Sequence, residues 1–219
     1  MSGLREATLI NMFKSGESFS SEETKSDTSK GAIDRIFYDI QSKVSEIRES
    51  SEYYTTYEER FNRTPVDGER GGWTGARAES TYVPADADIR KQLSEHGLEG
   101  IPYKNGEAHF EKVAKVAVTI DMTSERSSGG YGETRKIGNF EKADTQCAKL
   151  WNEQGFEGKN NWSARDVANW RNSESHKYTW HECCDTKTCL LVKEDIHGYF
   201  PHSGGCKECS ARDVTKEKN

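Results

Sequence analysis

The sequence predicts an α+β protein whose last third carries a strand–turn–strand–helix unit. Three observations predict it. Apolar residues recur at helical spacing in some stretches, while others are short and β-prone. Gly, Pro and Asn-Gly signals punctuate the stretches between them. Four of the six histidines fall within His176–His202, and three of them follow the strand–strand–helix order.

Taken in order, residues 1–31 are rich in Ser, Glu, Lys and Gly, and 20–27 reads as disordered or as a linker. Residues 32–60 read as an amphipathic helix, because Ile33, Ile36, Phe37, Ile40, Val44 and Ile47 recur at helical spacing. Such a face must pack on something, and a chemical role is not implied. Residues 61–158 read as a mixed α/β accessory region. Its Gly- and Arg-rich start, 61–82, suggests turns and short strands. There Arg70, Arg77 and Glu79 mark a candidate accessory polar site, with a turn holding satisfied ion pairs as the plainer reading. A helix over 86–96 is ended by Gly97, Asn105-Gly106 signals a hairpin, and 115–120 is strand-like. Residues 124–138 form a Ser/Gly-rich loop. A helix follows over 139–154, with Phe140, Ala143, Cys147 and Leu150 on one face. Ser163-Ala164-Arg165-Asp166 is a capping-box pattern that opens another helix. Residues 159–219 are expected to form the core that carries chemistry.

Composition narrows the function classes. Hydrophobic residues make up 32% and charged residues 31%, so part of the chain is expected to lie outside any core. The net charge is −6, and it is uneven: residues 1–158 balance to −7 and residues 159–219 to +1. Contact with a polyanion is therefore expected toward the C-terminal part. No apolar run approaches the ~20 residues that span a bilayer. Residues Met1–Glu6 lack the apolar region of a secretory signal, so the expected location is cytoplasmic, or outside the cell by a signal-peptide-independent route.

The informative segment is 178–205. Tyr178-Thr179-Trp180-His181-Glu182 is a short strand, 185–187 a turn and 188–192 a second strand. A helix begins near Glu194 or Asp195 and carries His197. His197 and His202 would diverge by about 140° on one continuous helix. Pro201 breaks that helix near Phe200, so His202 can fold back through a turn relaxed by Gly204-Gly205. A hairpin ending in His-Glu, packed on such a helix, suits one divalent ion with an open position for hydrolysis. An isolated histidine is usually structural, but this clustering favours a metal or catalytic site.

The same segment resembles the HNH/endonuclease VII superfamily, especially the Trp-His-His branch of bacterial polymorphic toxin nucleases. The matching residues are Trp180-His181, Asp185, Thr188-Cys189-Leu190-Leu191-Val192, His197 and His202-Ser203-Gly204-Gly205. The resemblance implies a ββα-metal (His-Me finger) nuclease core in 159–219 and a metal-dependent, phosphodiester-cleaving endonuclease, with DNA favoured as substrate. It implies a divalent ion (Mg, Mn, Ni or Zn) on His181, His197 and His202. It places Thr188 where the family often has a bracing Asn. A cognate immunity protein of the SUKH type would be the partner, and a toxin or defence role follows. The sequence departs from the signature at Glu182, which occupies the place of the second histidine. By resemblance that place belongs to the general base, and a carboxylate is the weaker base near neutral pH. The competing assignment makes His181 the base, and both remain open at this point.

Cys183 or Cys184, with Cys206 and Cys209, offers a second metal hypothesis, a structural zinc, against free thiols as the plainer reading. Two other function classes compete with the nuclease: a non-catalytic zinc-stabilised binding module, and an inactive nuclease relative.

Overall fold

The computed structural model describes residues 53–127, 131 and 137–216. The segment 1–31 and most of the expected 32–60 helix lie outside the described residues. Within the part that is described, 53–56 are not helical. A separate short helix α1 (Tyr57–Phe61) follows, opened by a Thr56/Glu59 capping box.

The first sheet is antiparallel, in the order β1 (Gly71–Trp73), β2 (Thr81–Pro84), β3 (Ile101–Lys104), β4 (Glu107–Ala108). Asn105 and Gly106 both take positive φ, 54° and 75°, which is the turn that closes β3 on β4. Helix α2 (Ala87–Ser94) starts on the Asp86 carboxylate, which accepts from the amides of Asp88 and Ile89. It ends where Gly97 adopts φ 69°.

The second sheet has the order β5–β7–β6, also antiparallel: β5 (Val116–Thr119), β6 (Tyr178–Glu182) and β7 (Thr188–Lys193). Helix α3 (Asn139–Gln154) stops at Gly155 in the left-handed conformation, and α4 (Ala164–Arg171) opens on the Ser163/Asp166 capping box. Helix α5 (Glu194–Tyr199) follows β7 directly, and α6 (Gly205–Lys216) comes last.

This second sheet is covered on both faces. Cys189 and Leu191 of β7 join Val116, Val118, Trp151, Val167 and Trp180 in one apolar cluster. Leu190 and Val192 join Phe110, Ile101, Ile196 and Phe200 in the other. That alternation follows from the two-residue period of a strand. It also explains why a central strand reads as the near-continuous apolar run Cys-Leu-Leu-Val.

Two expectations need correction. The boundary placed at 158 is not a structural break, because β5 supplies the third strand of the hairpin's sheet and α3 packs in the same cluster as Trp180. Charge balance marks composition, not strand pairing. Gly204-Gly205 is also not a relaxed turn, since Gly205 opens α6. A Cβ there would meet the Cys183 carbonyl at 2.3 Å and Met122 Sδ at 2.4 Å. The glycine permits a close approach of backbones. Gly205→Ala should therefore destabilise the fold by about 1–3 kcal/mol, read as a lower urea midpoint. An unchanged midpoint would show that helix and strand can separate freely.

Candidate active site

Successive side chains on β6 face opposite sides. His181, in register with Leu190, points to the face holding Phe110. Trp180 and Glu182 point to the face holding α3. Trp180 is tied down there by its indole N–H, which donates to the buried carboxylate of Asp144 at 2.8 Å. Asp144 also accepts from Arg171 at 3.0 and 3.2 Å and from the Tyr131 hydroxyl. This buried network fixes the strand residue next to His181.

On the other face the three histidines of the sequence pattern converge. His181 Nδ1 lies 3.3 Å from His197 Nε2 and 3.1 Å from His202 Nε2. The break at Pro201 is anchored by the Tyr103 hydroxyl, which donates to the Pro201 carbonyl at 2.9 Å. The His202 ring then turns back, with Nδ1 2.6 Å from the Phe200 carbonyl. A proton on Nδ1 serves that bond and leaves Nε2 as a lone pair facing the cluster. The fully buried Phe110 ring forms the floor, with centroids 4.8, 5.5 and 5.2 Å from His181, His197 and His202. Burial pushes the His197 imidazole down to about 3, helped by the nearby His202 and Arg126 charges, so it is neutral at neutral pH.

Three imidazoles arranged this way fit a cation. His181 Nδ1 faces both other imidazole nitrogens, so the three rings direct ring nitrogens at one small volume. Nitrogens on a tetrahedral ion with ~2.0–2.1 Å bonds lie about 3.3–3.4 Å apart, close to the two separations found.

Residues 100–204 match the family model for the DNase/tRNase domain of colicin-like bacteriocins. That family is a nuclease toxin domain, and the matching segment runs from the start of β3 to Gly204. It contains Phe110, all three converging histidines and the strand between the two apolar clusters. No curated protein and no solved structure matches the chain.

The remaining sequence-predicted residues fall into place one by one. Glu182 is buried, and both of its oxygens are engaged: Oε2 accepts from Arg126 Nε at 3.0 Å and Oε1 from Asn139 Nδ2 at 2.5 Å. Thr188 braces the hairpin turn, its amide donating to Asp185 Oδ1 at 2.8 Å and its hydroxyl to Oδ2 at 2.5 Å. The zinc-site cysteines are not brought together. Cys209 lies in one apolar cluster, Cys183 in the other, and the Cys206 thiol donates to the Ser124 carbonyl at 2.9 Å. Among the described residues no candidate ligand group includes Cys206 or Cys209, and burial pushes the Cys209 thiol up to about 11. Cys183 instead lies within 4.8 Å of Glu107 and His181, while the Cys184 amide donates to Glu107 at 2.8 Å.

Arg70, Arg77 and Glu79 do not form one site either. Arg70 covers the Tyr199 ring and donates to its carbonyl. Arg77 stacks on Phe61 and donates to Thr64, and Glu79 accepts from the Asn105 amide. Each of the three is satisfied by separate contacts of its own.

Sequence reasoning missed Phe110, Arg126, Asn139 and Glu107. Phe110 and Glu107 carry no local signal beyond following the Asn105-Gly106 hairpin. Arg126 stands in a Ser/Gly-rich loop, and Asn139 reads only as a helix start.

Proposed function

We propose that the chain is a metal-dependent endonuclease of the HNH kind, acting on DNA in a toxin or defence setting, with the β6–β7 hairpin and α5 as a ββα-metal unit. The observation that carries this reading is the convergence of His181, His197 and His202 on a buried aromatic floor, within the segment that matches a nuclease toxin domain. The three imidazoles would hold one divalent ion. When bound, such an ion polarises a phosphate oxygen and stabilises the leaving oxygenate. The chain's part is to orient the three ligands: burial keeps His197 neutral, the Phe200 carbonyl fixes the His202 ring and strand β6 aims His181. Phe110 closes the underside to water. In hydrolysis a water oxygen bonds to phosphorus, the P–O3′ bond breaks, the water gives up a proton and O3′ gains one.

Two apolar clusters hold the fold without any ion, which favours catalysis over a zinc-stapled binding module. The test is incubation with plasmid DNA and with total RNA across Mg²⁺, Mn²⁺, Ni²⁺ and Zn²⁺. Cleavage should be abolished by EDTA while the far-UV circular dichroism stays native. Intact DNA and RNA with every metal would overturn the reading. Loss of the native spectrum in EDTA would instead support the binding module.

A further inference from the structure

We propose that Arg126 is the phosphate-binding cation of this centre, and that Glu182 is the residue that positions it. The proposal rests on the nuclease reading above. Four observations carry it.

First, the pair is asymmetric. The Glu182 side chain is 2% exposed and the Arg126 side chain 61% exposed. A buried carboxylate therefore grips a guanidinium that opens to solvent. Its contact uses Nε, which leaves the outward Nη edge to meet an anion in the paired geometry guanidinium favours.

Second, the arginine is held in advance at both ends. Its carbonyl accepts from the Phe140 amide at 2.8 Å, and the neighbouring Glu125 carbonyl from the Asn139 amide at 2.9 Å. Glu182 is held in turn by Asn139, whose Oδ1 accepts from the Thr123 amide at 2.9 Å and whose Nδ2 lies 2.7 Å from the Thr123 carbonyl. Holding the side chain in advance lowers the entropic cost of gripping a ligand.

Third, the location fits. Glu182 ends β6 directly after His181, and a Cβ at Gly204, two residues past His202, would meet the Glu182 carbonyl at 2.9 Å, so the Arg126–Glu182 pair stands where the strand end meets the segment that carries His202. Fourth, both Glu182 oxygens already accept from donors, as a positioning carboxylate would and a base awaiting water's proton would not.

The test uses the full chain and has a binding arm and a rate arm. In EDTA, a fluorescein-labelled DNA oligonucleotide is titrated by anisotropy at several salt concentrations. Arg126→Ala should weaken binding, and the slope of log K against log salt should shrink by about 1. Arg126→Lys should restore the slope while recovering only part of the rate, because the ammonium keeps the charge and loses the paired geometry. With metal, Arg126→Ala should lower kcat/KM by about 100-fold. Glu182→Gln should lower it less. In the Arg126→Ala background Glu182→Gln should add almost nothing, since it acts through the arginine.

Multiplicative effects of the two substitutions would overturn the positioning role of Glu182. A wild-type salt slope and rate in Arg126→Ala would overturn the proposal while leaving the nuclease reading intact. Absence of cleavage by the wild type with every metal would overturn both.

Discussion

His181→Ala and His197→Ala should each lower cleavage on the order of a thousandfold or more, because each removes one of the three converging imidazoles. Both rings stand on Phe110, an apolar floor with no donor atom to substitute. Metal affinity, measured by calorimetry with Ni²⁺ or Zn²⁺, should fall with the rate, which separates a lost ion from a lost proton acceptor. His202→Ala should join them, since its ring is fixed by the Phe200 carbonyl and lies 3.1 Å from His181. Because Phe110 and the two apolar clusters are untouched, melting temperatures without metal should change little. Wild-type cleavage by both His181→Ala and His197→Ala would refute the site.

The second large effect is expected far from the chemistry. Asp144 is fully buried and accepts from Arg171, Trp180 and Tyr131. Asp144→Ala would leave the buried Arg171 guanidinium without its counter-charge and the Trp180 indole without its acceptor. Breaking a buried pair from one side costs about 3–5 kcal/mol, visible as a large drop in the urea midpoint. Adding Arg171→Met should recover part of the loss, because the stranded charge is then gone. A single-variant loss below about 1 kcal/mol would show that the network contributes little. The network also gives the tryptophan of the Trp-His pattern a physical role, as the bolt that holds β6 against α3 while the next residue faces the histidine cluster.

Features whose cause is local were legible in the sequence. Asn105-Gly106 names its own turn, Ser163 and Asp166 cap each other, and Pro201 must end a helix wherever it stands. The alternation on β6 and β7 is likewise a property of a few adjacent residues. What was not legible depends on long-range pairing. Nothing in Val116–Thr119 says that its partner is Thr188–Leu191. Helix α6 carries no apolar stripe, with only Gly205, Glu208 and Cys209 buried, so Cys206-x-x-Cys209 read as a ligand pair when its spacing is that of one helical turn. Arg126 was hidden by a charge tally that assigned anion binding to the C-terminal part, although folding carries this arginine to Glu182. The identity of Glu182 was visible at once, but its partners were not, and the partners decide what a carboxylate does.

The order β5–β7–β6 also has a kinetic side. The β6–β7 hairpin joins neighbours in the chain and can close on the order of 1–10 μs. Strand β5 must return from a position as distant as Val116 to cover the other edge of β7 at Leu191. Closing so long a loop is entropically slow. Until it closes, Cys189, Leu190 and Leu191 present open amides and carbonyls flanked by apolar side chains, the kind of edge that recruits other strands. The strand that supports the histidines is thus the part of the folding chain most exposed to mispairing, and the upstream segment acts on it as a built-in cover.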